Sequence, residues 1–333
     1  MKRSSIIYVP LLFSFLTTIA FSFFYYYQIQ QDNEEIAEAV SSDTSPPDYH
    51  FALIGEELDH DYWRLVGKGA KQSETEQEVF VEYGGPQRSN PEEQLRLLDK
   101  AIQSKVDGII IQALNEEFTP LIDQAVGQDI PVMTIDTDST ESSRSAYIGT
   151  DNYSAGQLAG EALVADTGGE AIIGIVTGRF NNAHHSLRVE GFRSVVGQKE
   201  GIDIVAIEES SIDRIRAEEK AYNMLTNHQE ITALYGTSSL DGIGISEAAE
   251  SLNRQDDLYV ITFDTLEENL QLLEQGKIDA LVEQQPWEMG HRSVELMIDI
   301  LNNKQVEEIH HTDSSIIRKR DLPYRNALTG EGH

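Results

Sequence analysis

The chain contains no cysteine. That excludes disulfides, thiolate metal sites, cysteine nucleophiles, iron–sulfur ligation and a lipid-modified N-terminal cysteine. Basic residues are scarce: 25 Lys and Arg stand against 57 Asp and Glu, for a formal net charge of −32. A nucleic-acid partner is disfavoured on that ground, because phosphate binding needs a basic surface. No GxxxxGK[ST] or GxGxxG pattern occurs, so the glycines offer no phosphate cradle. The histidine pairs His184-His185 and His310-His311 project in different directions and have no obvious third ligand nearby. No metal or other cofactor is expected from them. The acidic runs Glu56-Glu57 and Asp256-Asp257 read as solvated surface.

What is present suits a folded protein. The 333 residues are 40% hydrophobic, enough for about two domains of ordinary size or one two-lobed domain. Only one long apolar run occurs. No charge falls between Ser4 and Gln31, and residues 6–27 are rich in Ile, Leu and Phe. About twenty apolar residues span a bilayer core. Lys2 and Arg3 precede the run and Asp32, Glu34 and Glu35 follow it, which places the N-terminus in the cytoplasm and the rest outside. Tyr25, Tyr26 and Tyr27 fall where an aromatic belt meets the outer headgroups. A cleaved signal peptide would have a shorter apolar stretch with a small-x-small site close behind it, whereas Ala37-Glu38-Ala39 lies well past the end. The reading is an uncleaved anchor over residues 1–29, then an acidic extracytoplasmic linker over 30–48 containing Pro46-Pro47.

From His50 onward, short apolar runs alternate with amphipathic stretches. Strands are expected at 51–55, 79–83, 108–112, 132–136, 171–176, 202–207, 233–236, 259–264 and 280–283. Helices are expected at 62–77, 91–104, 120–128, 153–166, 187–199, 214–227, 240–252, 267–275 and 287–301, with Asn90 and Thr119 as N-caps before Pro91 and Pro120. Most strands are continuous Ile/Val/Leu runs, as in sheets covered on both faces. The repeated β-α order predicts an α/β fold of doubly wound parallel sheets.

An internal echo points to two similar lobes. Residues 130–137 read Ile-Pro-Val-Met-Thr-Ile-Asp-Thr, and residues 258–265 read Leu-Tyr-Val-Ile-Thr-Phe-Asp-Thr. Each is a buried strand ending in Asp. Ligand groups emerge at strand C-termini in open parallel sheets, so Asp136 and Asp264 would face one another across a cleft. The alternative is that each merely caps the next turn.

The sequence resembles the periplasmic-binding-protein family of the ribose/galactose type, which shares its fold with the effector domain of lactose-repressor-like regulators. The resemblance runs from about His50 to the C-terminal region. It is carried by Asp61-Tyr62-Trp63, Gly67-x-Gly69-Ala70, Gln94, residues 107–111, the Asp136 strand, residues 147–156, Arg188-x-x-Gly191-Phe192, Phe263-Asp264 and Gln284-x-Pro286-x-x-x-Gly290. It implies two doubly wound lobes joined by a multi-strand hinge, 49–151 plus about 285–313 and 152–284 plus about 314–328. A sugar or related small polyol would bind between them, without catalysis. It further implies that Tyr62 and Trp63 stack on the sugar ring, and that Asp136, Arg188, Asp264 and Gln284 hydrogen-bond its hydroxyls. Asp138 and Ser238 are further candidate ligand-binding residues; Ser238 and Ser239 can equally cap the next helix.

The chain departs from the family at His60-Asp61, Thr137 and Ser238-Ser239. The Asp136-x-Asp138 pattern resembles a branch that binds a furanosyl autoinducer. The implied partners are an ABC permease, which imports the solute, or a membrane sensor histidine kinase. A glycoside-processing enzyme using Asp136 and Asp264 as acid and base is the rival from another class.

Overall fold

A computed structural model describes Phe21, Tyr25 and residues 47–323. The apolar N-terminal segment and most of the acidic linker therefore lie outside the described residues. Among the described residues no helix is long and apolar enough to cross a membrane. The chain forms two units, Met1–Asp48 and Tyr49–His333. The sheets and the cavity between them belong to the second.

That unit contains two six-stranded sheets. The first is built from β1 (His50–Ile54), β2 (Phe80–Gly84), β3 (Gly108–Ile111), β4 (Val132–Ile135), β5 (Ala146–Thr150) and β11 (Ile309–Thr312), in the order β11-β5-β4-β3-β1-β2. Its ladders are all parallel. Helices α1 (Asp61–Gln77), α2 (Pro91–Ser104) and α3 (Thr119–Val126) connect its first four strands. The second sheet contains β6 (Ala171–Thr177), β7 (Ile202–Glu209), β8 (Ala233–Gly236), β9 (Tyr259–Phe263), β10 (Ala280–Glu283) and β12 (Ser315–Arg318), ordered β12-β10-β9-β8-β6-β7. Only β12 runs antiparallel to its neighbour there. Helix α4 (Asn152–Asp166) leads into this sheet, and α5 (Ala183–Val196), α6 (Arg214–Asn227), α7 (Ser239–Ser251) and α8 (Glu267–Gln275) join its strands. Helix α9 (Pro286–Leu301) returns to pack on α1, β4 and β5. The chain thus passes between the two halves after β5, after β10 and between β11 and β12.

The apolar runs explain this arrangement. Ile109, Ile110 and Ile111 are all fully buried. Ile109 and Ile111 join Leu98 and Ile122 on one face of the sheet, while Ile110 joins Phe51 and Met133 on the other. A strand sandwiched on both faces cannot alternate with polar residues. Each such side chain contributes about 1.5–3 kcal/mol on leaving water.

Four glycines set the helix spacing, in matching pairs. A Cβ on Gly69 would lie 2.0 Å from the Trp287 carbonyl oxygen, and one on Gly290 would lie 1.9 Å from that of Val66. In the other half, a Cβ on Gly156 would lie 2.2 Å from the Arg188 carbonyl oxygen, and one on Gly191 would lie 2.0 Å from that of Tyr153. The helix pairs α1/α9 and α4/α5 approach backbone to backbone, which any side chain would block.

The differences from the sequence reading have local causes. Strands β5, β11 and β12 were not expected. β5 carries Gly149 in its interior, and β11 and β12 are four-residue edge strands whose His and Arg residues hide the apolar signal. Helix α5 starts at Ala183 rather than at 187, because His184 and His185 are buried in its first turn. Asn90 caps α2 by accepting from the Glu93 amide. Thr119 does not cap α3: a 3₁₀ turn at Glu116–Phe118 runs straight into the helix, and the Thr119 hydroxyl bonds Ser139 Oγ at 3.1 Å instead.

Candidate functional site

The C-terminal ends of the strands of both sheets meet around a cavity. Asp136 and Asp264 follow β4 and β9 directly, and both line it. Each turns the chain at a left-handed φ, 65° and 73° respectively, a conformation Asp tolerates better than most residues.

Asp136 is held from three sides. Tyr62 Oη donates to Oδ1 at 2.6 Å, and Gln112 Nε2 donates to Oδ2 at 2.8 Å, with Thr137 Oγ1 at 3.4 Å. Burial pushes its carboxyl above the usual range; Tyr62 and Arg188 counteract this, while Glu56 and Asp264 add to it. The Tyr62 phenol is pushed well up by burial and by the Asp136 charge, so it remains a donor. Asp264 Oδ1 accepts from Gln284 Nε2 at 2.6 Å.

Arg188 lies on α5 and is anchored by residues of its own half. Nε donates to Asn152 Oδ1, Nη1 to the Thr237 carbonyl and Nη2 to Gln284 Oε1, each at 2.8 Å. Its guanidinium carbon lies 3.9 Å from the centre of the Phe263 ring. Gln284 Oε1 also accepts from Thr150 Oγ1 at 2.8 Å. These bonds use three of the five guanidinium donors and fix its plane. The preset fork suits hydroxyl oxygens of a bound solute.

Tyr62 and Trp63 open α1, whose N-cap His60 accepts from the Tyr62 amide at 3.2 Å. Their rings meet edge to face, 76° apart with centroids at 5.8 Å. They cannot sandwich one ring between them; they form an apolar corner. Trp63 packs over Gly55, where a Cβ would lie 2.6 Å from the indole. From the other half comes Ile212, on the loop after β7.

Of the residues expected from sequence, Tyr62, Trp63, Asp136, Arg188, Ser238, Asp264 and Gln284 line the cavity. Ser238 is also the α7 N-cap, accepting from the Asp241 amide at 3.2 Å. Asp138 is not brought in. Arg144 Nη2 donates to its Oδ2 at 2.7 Å and Arg144 Nε to its Oδ1, where Thr134 Oγ1 also donates at 2.6 Å. It lines a separate groove.

Other residues of the site escaped the sequence reading. Glu56, in an acidic run that reads as surface, is buried beside Ser89 Oγ and lines the cavity with Glu57. Gln112 follows β3, so the strand-end rule that singled out Asp136 could have found it too. His184 and His185 also line the cavity. Their Nδ1 atoms contact Thr137 Oγ1 at 2.8 Å and Thr237 Oγ1 at 2.9 Å. Burial, reinforced by neighbouring positive charge, holds both imidazoles well below the ordinary range, so they are neutral at neutral pH. Among the described residues no group of three or more His, Asp or Glu side chains could hold a metal ion.

Four acidic side chains, Glu56, Glu57, Asp136 and Asp264, line this space with one guanidinium, that of Arg188. The carboxylates outnumber the cation and still have lone pairs to fill. Such a site favours a neutral guest rich in O–H donors and penalises an anionic one.

The halves are also joined by hydrogen bonds between Thr137 and His184 and from Arg179 Nη2 to Ser89 Oγ at 3.1 Å.

Residues 51–305 match the periplasmic binding protein domain family. Among solved structures, the chain is 51% identical to GanP, a glucose-galactose binding protein from Geobacillus stearothermophilus, with a TM-score of 0.81, covering 83% of this chain and 99% of that one. It is 34% identical to a chain of the XylFII–LytSN complex, with a TM-score of 0.78, covering 83% of this chain and 100% of that one. The ribose import binding protein of Escherichia coli (strain K12) is 24% identical over 192 residues, 58% of this chain and 64% of that protein. The chain thus spans less than two thirds of that curated relative.

Proposed function

This chain belongs to the periplasmic binding protein domain family, with the type I fold of two parallel sheets, and we propose that it is an extracytoplasmic receptor for a neutral sugar. The two lobes are taken as 49–151 with about 285–313, and 152–284 with about 314–328. The guest is a hexopyranose of the glucose or galactose kind, held at Asp136, Arg188, Asp264 and Gln284 with its apolar face on the Tyr62–Trp63 corner. The observation that carries this reading is the acid-rich ring of hydrogen-bonding groups drawn from both sheets. The 51% identity to a protein named as a glucose-galactose binding protein narrows the class.

Binding would act by shifting an open–closed equilibrium. A guest that contacts both lobes stabilises the closed form by the free energy of those contacts. The furanosyl alternative loses support, since Asp138 is committed to Arg144. The hydrolase alternative gains none from relatives named as binding proteins.

The test is a thermal-shift and calorimetric screen of the full-length protein in detergent against D-galactose, D-glucose, D-ribose, inositol and D-glucose 6-phosphate. A saturable shift with a neutral hexose and none with the phosphate is expected. A response to the phosphate alone, or to none of these compounds, overturns the reading.

Held outside the cell by an anchor in its apolar N-terminal segment, as proposed from the sequence, the receptor would deliver its sugar to an ABC permease. A second reading, signalling to a sensor histidine kinase, is favoured by the likeness to XylFII in a complex with LytSN. Deleting the gene separates the two. Loss of sugar uptake supports import, and intact uptake with lost sugar-induced transcription supports sensing. Mass spectrometry of membranes tests the anchor: residues 25–31 should remain attached, and a mature start near residue 40 would refute it.

A further inference from the structure

The loop after β7 has an unusual backbone. Ser211 and Ile212 both lie in the left-handed region, at φ 59° and 57°. Neither is glycine, and a β-branched residue there is a steric outlier. Such strain persists only where the surroundings over-determine it. Here they do. The Ile212 amide donates to Ser210 Oγ at 3.1 Å, and that hydroxyl donates to Asp241 Oδ1 at 2.5 Å. Ser210 and Asp241 are both fully buried. The Ser210 amide donates to the Thr177 carbonyl at 2.8 Å, which ties the loop to the end of β6. Asp241 is fixed in turn in the first turn of α7, where its amide bonds the Ser238 cap. The product of this tethering is that Ile212 lines the cavity.

We propose that Ser210 and Asp241 are positioning residues that force Ile212 into the cavity, where its side chain forms the apolar wall on the side opposite in origin to Tyr62 and Trp63 and so sets how well the guest is gripped. The guest is that of the sugar-binding reading, on which this proposal rests, but the tether itself is a property of the free protein. Ser210 is the relay: its single hydroxyl accepts from the strained backbone and passes its proton toward a carboxylate that cannot move. Removing the hydroxyl frees the Ile212 amide. The loop can then relax to negative φ, and the wall swings away.

A double-mutant cycle tests this, read by calorimetry with D-galactose and D-glucose on the full-length protein. Ser210→Ala and Ile212→Ala should each weaken binding about tenfold, the scale of one lost buried hydrogen bond or apolar contact. Because both act through the same side chain, the double variant should be within about twofold of the weaker single variant. A hundredfold loss in the double variant, or wild-type affinity in Ser210→Ala, overturns the proposal. If Ser210→Ala does not fold, Asp241→Asn replaces it in the cycle. That change keeps an acceptor for the hydroxyl, should weaken binding about threefold, and must likewise be non-additive with Ile212→Ala.

A sugar-free measurement separates this proposal from the ligand assignment. With isoleucine δ-methyl labelling, the Ile212 signal in the unliganded wild type should be a single sharp line, and Ser210→Ala should shift and broaden it. An unchanged Ile212 methyl in that variant refutes the tether even if no hexose binds. A shifted methyl in a protein that binds no hexose leaves the tether standing and refutes only the sugar.

Discussion

Asp136 and Asp264 occupy the same place in two different sheets. Each follows the fourth strand of its βα series, each has positive φ, and each amide donates to the neighbouring strand, Asp136 to the Ile148 carbonyl at 2.9 Å and Asp264 to that of Val282 at 2.8 Å. Two lobes of similar construction thus present matching carboxylates to one cavity.

The first prediction follows from that pairing. Asp264→Ala should abolish hexose-induced thermal stabilisation while leaving the unliganded melting temperature within a few degrees. The variant loses a charged acceptor and strands the Gln284 amide, a loss of about 2–3 kcal/mol in binding, or roughly 30–150-fold in Kd. A melting shift equal to that of the wild type would remove Asp264 from the site.

The helix spacing makes a second prediction. Gly290→Ala places a Cβ 1.9 Å from the Val66 carbonyl oxygen, whereas Gly84→Ala meets nothing within 4 Å. The first should cost at least about 1–3 kcal/mol, with a fall in melting temperature, and the second close to nothing. Denaturant titration of the two variants checks the contrast.

Asp241 supplies a third. Burial raises its carboxyl from 3.8 to about 6. The native state therefore holds this proton more tightly than the unfolded chain. Its contribution to stability is fully present below about pH 4 and declines as pH rises to about 6, by up to about 3 kcal/mol. Asp241→Asn should remove that decline, and stability curves from urea titrations between these pH values will show whether it does.

The buried histidines act in the opposite sense. His184 and His185 are held well below 6.5 by burial, so the unfolded chain binds protons that the native state refuses. Stability should fall as pH drops below 6.5, by up to about 1.4 kcal/mol per pH unit for each histidine. Replacing both with Gln should flatten that limb. If proton NMR shows either imidazole titrating normally in the folded protein, the assignment fails.

Much of this arrangement was legible from residues alone, for physical reasons. Burial on both faces forces unbroken apolar strands, so 108–112 and 132–136 announced a parallel sheet. Backbone contact tolerates only glycine, so Gly69, Gly156, Gly191 and Gly290 stood out in the family pattern. A strand end in an open parallel sheet points at a cleft, which identified Asp136 and Asp264 as a pair.

Other features depended on three-dimensional packing. Asp138 is two residues from Asp136, yet Arg144 takes it away, and no spacing rule reports which carboxylate an arginine will choose. Glu56, His184 and His185 read as surface or as an idle pair because a charge or an imidazole carries no local mark of burial; Glu56 is buried beside Ser89, His184 beside Thr137 and His185 beside Thr237, all distant in sequence. The left-handed loop at Ser211–Ile212 is held by Asp241, some thirty residues away in the chain. Local sequence determined which segments form strands and helices, since propensity and periodicity act over a few residues. Tertiary structure decided which polar groups share the cavity, since desolvation and hydrogen bonding depend on neighbours brought together only by the complete fold.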